Sequence, residues 1–128
     1  MTTEKLILGG VFRYFDYNEL FKITAITGNS ISAVALNTDK PKTLSIKPND
    51  VIQIPLSHYR IEQLGFIEYD LHIYMLPNNE TMVPNYDFII RYNDGLFYIG
   101  DRIIRNIMHL QALTRFYIDV ELNTDLLI

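Results

Sequence analysis

The sequence predicts an α+β fold: a small N-terminal β-barrel or roll of SH3-like size, then an antiparallel sheet with two helices packed on it. Three observations carry this. Short alternating apolar runs separated by turn residues fill the chain up to Leu56. Asn93-Asp94-Gly95 lies between two apolar runs and marks a hairpin, because Asp-Gly supplies the left-handed φ values of a tight turn. Apolar residues at helical spacing then follow Gly100-Asp101 as far as Arg115. The expected division is a barrel-like lobe over 1–56 and an α+β lobe over 57–128, tightly packed on the first.

Each element has a local reason. Val11–Phe15, Leu20–Thr27, Ser30–Leu36 and Leu44–Ile46 alternate as half-buried strands, and Gly28-Asn29 is a two-residue hairpin signal. Turns or loops are expected over 16–19, 37–42 and 77–84, where Asp, Asn, Pro and Thr collect. Val51–Leu56 reads as a strand that passes into a short helix, with Ser57 as N-cap, Ile61 and Leu64 as its apolar face, and Gly65 as its stop. This joint, Val51–Phe66, organises the chain. Phe66–Leu76 reads as one strand with His72 mid-strand, and Asp87–Tyr92 and Leu96–Ile99 flank the Asp-Gly turn.

The main helix is expected over Asp101–Arg115 with Asp101 as N-cap. One arc of its wheel holds Ile103, Ile104, Ile107, Met108 and Leu110, and the other holds Arg102, Arg105, His109 and Ala112. Tyr117–Leu122 reads as a returning edge strand whose Asp119 and Glu121 discourage association.

The totals narrow the function. A chain of 128 residues, 48% hydrophobic and 20% charged, can bury a core and is no disordered tail. Its net charge of -4 sets up no global attraction to nucleic acid or to an anionic membrane. Without cysteine there is no thiol nucleophile, disulfide or Cys-ligated zinc. No apolar run approaches the ~18 residues of a membrane span, so the expected place is the cytoplasm. Nine Tyr and seven Phe suit half-buried strands and a Tyr-rich contact surface.

No catalytic constellation, cofactor or metal set is legible. His58 and Glu62 form an i, i+4 pair, but the sequence places no third ligand and there is no H-E-x-x-H. None of the four serines lies in a G-x-S-x-G elbow, and Gly9-Gly10 opens no phosphate loop. Arg102, Arg105 and His109 are the one candidate face, an anion- or partner-binding stripe on the solvated side of the main helix.

Ile54-Pro55-Leu56-Ser57, then Ile61 and Leu64-Gly65-Phe66, then His109-Leu110-Gln111 with Leu113, resemble a family of small uncharacterised proteins. Phages, prophages and other mobile elements of gut bacteria carry them. The resemblance spans roughly 50–122. It departs at Gln53, and at Phe116-Tyr117-Ile118-Asp119 where the family often places a Thr-Gly turn. It implies a genetic context and a fold, and brings no activity, substrate or cofactor. The expected function is a non-catalytic structural or protein-interaction module whose partner is another protein or a second copy. The alternative is nucleic-acid association through Arg102, Arg105 and His109.

Overall fold

The computed structural model describes residues 6–14, 19–36, 42–77 and 84–127. The fold is α+β, built on two five-stranded antiparallel sheets. The first contains β1 (Val11–Tyr14), β2 (Leu20–Thr27), β3 (Ser30–Ala35), β4 (Thr43–Ile46) and β5 (Val51–Ile52) in the order β4-β3-β2-β1-β5. The Gly28-Asn29 turn sets Thr27 opposite Ser30, and the alternation of β2 and β3 then sends Phe21, Ile23, Ile31 and Ala33 inward. A 3-10 turn over Pro48–Asp50 carries the chain across to β5, which pairs with β1 through Arg13 and Ile52. The last strand therefore returns to the edge opposite its predecessor, and the sheet rolls into a half-barrel. The strand expected from Val51 stops at Ile52, ahead of Pro55, which has no N–H for a ladder.

At the joint, α1 (His58–Gln63) forms as expected. Ser57 Oγ accepts from the Arg60 N–H at 3.1 Å, and Gly65 ends the turn at φ 100, where a β-carbon is strained. Ile61 and Leu64 are buried. Arg60 is half-buried and donates to the Pro55 carbonyl at 3.0 Å. Burial and then the neighbouring Arg13 charge lower its pKa from the ordinary guanidinium value.

The second sheet contains β6 (Ile67–Asp70), β7 (Ile73–Pro77), β8 (Pro84–Asn93), β9 (Leu96–Ile99) and β10 (Arg102–Ile104) in the order β10-β9-β8-β7-β6. Asp94-Gly95 makes the expected hairpin, with Asn93 opposite Leu96. Two others depart from the sequence expectation. The single strand over Phe66–Leu76 is a hairpin in which Leu71 and His72 form the turn, with His72 at φ 61. Its apolar alternation runs through a turn that carries no glycine or proline, so no local signal marks it. Gly100-Asp101 also turns the chain, placing Arg102 opposite Ile99 and making Arg102–Ile104 a strand. The expected helix start at Asp101 is thereby displaced. β-branched Ile103 and Ile104 suit the ladder, and Asn106 takes over as N-cap, its side chain accepting from the His109 N–H at 2.8 Å.

The main helix is thus α2 (Ile107–Ile118). Ile107 and Leu110 are buried as expected, whereas Ile103 is 44% exposed because it lies on β10. At the other end Asp119 adopts the left-handed conformation and Val120 N–H bonds the Thr114 carbonyl at 3.2 Å, a helix stop without glycine. The expected edge strand over Tyr117–Leu122 does not form. Phe116 and Tyr117 instead complete the helix and stay exposed, while Leu122 and Leu127 fold back into the core. The loops expected over 16–19, 37–42 and 77–84 fall largely outside the described residues.

Rather than lying on one sheet with a polar back, α2 is wedged between two cores. Ile107, Leu110 and Leu113 join Ile61, Leu64, Phe88, Ile90 and Ile54 in the larger core, while Met108 joins Phe12, Phe21, Ile23 and Ile31 in the smaller. The buried Gln111 fastens the arrangement. Its Oε1 accepts from Val11 N–H at 3.0 Å and its Nε2 donates to the Gly9 carbonyl at 2.9 Å, satisfying the start of β1 from the helix. Gly10 permits the approach, since a β-carbon there would lie 2.8 Å from Met108 Cγ and Sδ. Ile107 N–H adds a bond to the Ile54 carbonyl at 3.0 Å. Ile54 and Val11 belong to the same core as the second sheet, so the two expected lobes share their larger core.

Candidate functional site

The stripe expected from Arg102, Arg105 and His109 does not form on one helix face. Arg102 lies exposed on β10, Arg105 lies exposed in the link to α2, and His109 is half-buried in the first helical turn. Arg105 N–H donates to His109 Nδ1 at 2.9 Å. A ring nitrogen that accepts carries no proton, so in this arrangement the imidazole works as a local cap and adds no positive charge. The helix-wheel argument failed because it began the helix six residues too early.

Among the described residues no group of three or more His, Cys, Asp or Glu could hold a metal ion. The His58–Glu62 pair gains no third ligand. Instead His58 is turned into the second sheet, where its Nδ1 meets the Tyr74 hydroxyl. Its ring lies 4.5 Å from Tyr92 and 5.3 Å from Phe97, both edge-on, and 6.0 Å from His72. Burial first, then the charges of Glu68 and Glu62, raise the Tyr74 pKa. The phenol therefore keeps its proton to higher pH than a free tyrosine. The contact between the two side chains anchors α1 to β7. Sequence reading missed it, because His58 and Tyr74 stand 16 positions apart with no shared motif.

The raised Tyr74 pKa fixes the sign of a pH effect. Below the ordinary phenol value of about 10 both folded and unfolded chains hold the proton, and its contribution to stability is complete. Above that value the unfolded chain releases the proton first, so stability falls as pH rises through the folded value. Tyr74→Phe should therefore flatten the loss of stability between pH 8 and about 11, measured by denaturant titration of both proteins. Equal slopes would remove Tyr74 as the source.

The accessible chemistry lies on the outer face of the second sheet. Register places Ile73, Arg91, Tyr98 and Ile103 in one row across four strands, with Ile67, Met75 and Ile89 in the next. Ile67 and Ile103 are 50% and 44% exposed, and Leu71 at the neighbouring turn is 74% exposed. A cleft of about 580 Å³ opens there, lined by Leu71, Ile73, Tyr92 and Tyr98, with Arg91 and Asp101 as its charged groups. Arg91 is held by a bond to the Gly100 carbonyl at 3.1 Å. The cleft is mixed in character: the aromatic and aliphatic side chains stand beside His72, Arg91, Asn93 and Asp101. A second hollow of about 610 Å³ over the first sheet is lined by Ser30, Ser45, Lys47 and Asp50 among others, and resembles an ordinary solvated surface. No helix among the described residues is long and apolar enough to cross a membrane. Comparison with protein-family models, curated proteins and solved structures gives no match.

Proposed function

We propose that the protein is a non-catalytic structural or protein-interaction module, carried by a phage or related mobile element and acting in the cytoplasm through protein contacts. The observation that carries this reading is the outer face of the second sheet. Ile67, Leu71 and Ile103 stand exposed there beside Tyr98 and the cleft, around a fixed arginine. Aromatic and aliphatic residues with an arginine are the composition that protein interfaces favour. The rolled first sheet, with its fifth strand returning beside β1, supports the SH3-like reading of the N-terminal part. The joint and His-Leu-Gln motifs that suggest the mobile-element family are, in this fold, the residues that pack α1 and α2, including Gln111.

Nucleic-acid association is the second reading, favoured by the exposure of Arg102 and Arg105. Two arginines beside a neutral imidazole neutralise few phosphates, and the net charge of -4 opposes approach. Fluorescence anisotropy with labelled single-stranded and duplex DNA tests it. Binding through Arg102 and Arg105 would weaken tenfold or more between ~50 and ~200 mM salt and vanish in the R102A/R105A variant. We expect no binding at the higher salt. Sub-micromolar, salt-sensitive affinity would replace the interaction reading with this one.

A further inference from the structure

Both edges of the second sheet are short, exposed strands, and they carry opposite charge. On β6 all four residues are exposed and include Glu68 and Asp70; on β10 Arg102 and Ile103 are exposed, with exposed Asp101 just before the strand and exposed Arg105 just beyond it. Register connects the two edges. One cross-strand row runs Glu68–Tyr74–Ile90–Ile99–Arg102, so the carboxylate and the guanidinium end the same row on the same face. Ile67 and Ile103, each next in sequence, project from the other face and are 50% and 44% exposed.

Building on the interaction-module reading, we propose that the partner is a second copy of this chain, joined by pairing β6 of one copy with β10 of the next. Four antiparallel steps separate β6 from β10, so the two strands run in the same direction. A copy added in the same orientation therefore pairs in parallel. Glu68 then faces the next copy's Arg102 on one side of the joint, while Ile67 and the next copy's Ile103 share the other. Charge selects this joint over the alternatives. Pairing β6 with β6 sets carboxylates together, and pairing β10 with β10 sets arginines together, both of which repel. The contact is heterologous, so it propagates to a ring or an open filament instead of stopping at a dimer. A parallel ladder of three or four residues is weak, so assembly depends on concentration and is loosened by salt.

Sedimentation velocity of the full chain over rising concentration tests this. Wild type should form species beyond dimer, and E68R or R102E alone should lower association at least about tenfold. An equimolar mixture of the two single variants should recover it, because each then offers the other an opposite-charged edge; so should the double variant E68R/R102E. Glu68 also accepts from His72 N–H at 3.3 Å, so circular dichroism must show that E68R is folded. If it is not, R102E and the salt dependence of wild type carry the test, loss in R102E and in high salt being the expected result. Association that survives both reversals, or a loss that mixing does not restore, overturns the pairing. A wild-type chain that stays monomeric also overturns it, whereas photocrosslinking of a Tyr98 variant to another protein would keep the interaction reading.

Discussion

Gln111→Ala should lower the unfolding free energy by roughly 2–6 kcal/mol. The change leaves the buried Val11 N–H and the part-buried Gly9 carbonyl without their partner, at up to roughly 1–3 kcal/mol each. The side chain is 3% exposed, so water does not simply take its place. Urea denaturation followed by circular dichroism measures it, with Arg102→Ala, at an exposed position, expected to stay within about 0.5 kcal/mol of wild type. A loss under about 1 kcal/mol for Gln111→Ala would mean that the helix and the first sheet are held by packing alone.

Leu110→Ala should cost about 2–5 kcal/mol, since Leu110 is fully buried and its removal leaves a cavity in the larger core. Ile103→Ala should cost far less, within about 1 kcal/mol, because nearly half of that side chain already faces solvent on β10. A helix beginning at Asp101 would make both substitutions severe. The pair therefore reads helix phase directly from stability, and comparable losses at the two positions would contradict a strand over Arg102–Ile104.

The parts of the fold that were legible in sequence are those with local chemistry. Gly28-Asn29 and Asp94-Gly95 name their own hairpins, Ser57 names the start of α1, and Gly65 names its end. Where the chain uses less obvious residues, sequence reading went astray. His72 and Asp119 take left-handed φ without being glycine, so the turn after β6 and the stop after α2 were hidden. Ile103 and Ile104 fit a helix wheel as well as a strand, and the Gly100-Asp101 turn decides between them. Burial at Gln111 and Thr114 was not visible either. A polar residue inside a helix looks solvated until a second sheet is known to pack against it, and that contact joins positions 100 apart in the chain. The same distance hid the His58–Tyr74 pair. The candidate face was the least legible part, because one misplaced helix start assembled Arg102, Arg105 and His109 into a stripe that the turn and strand take apart.

The central functional claim is that the outer face of the second sheet is where this protein meets its partner. Site-specific photocrosslinking in the source cells tests it most directly, with a photoreactive phenylalanine replacing Tyr98 on that face or the exposed Lys22 on β2. The interaction reading predicts a discrete protein adduct, to another protein or to a second copy, from position 98, little from position 22, and loss of the adduct when Leu71→Asp places a charge beside the cleft. Equal labelling from both positions, or nucleic acid as the product from position 98, would contradict it.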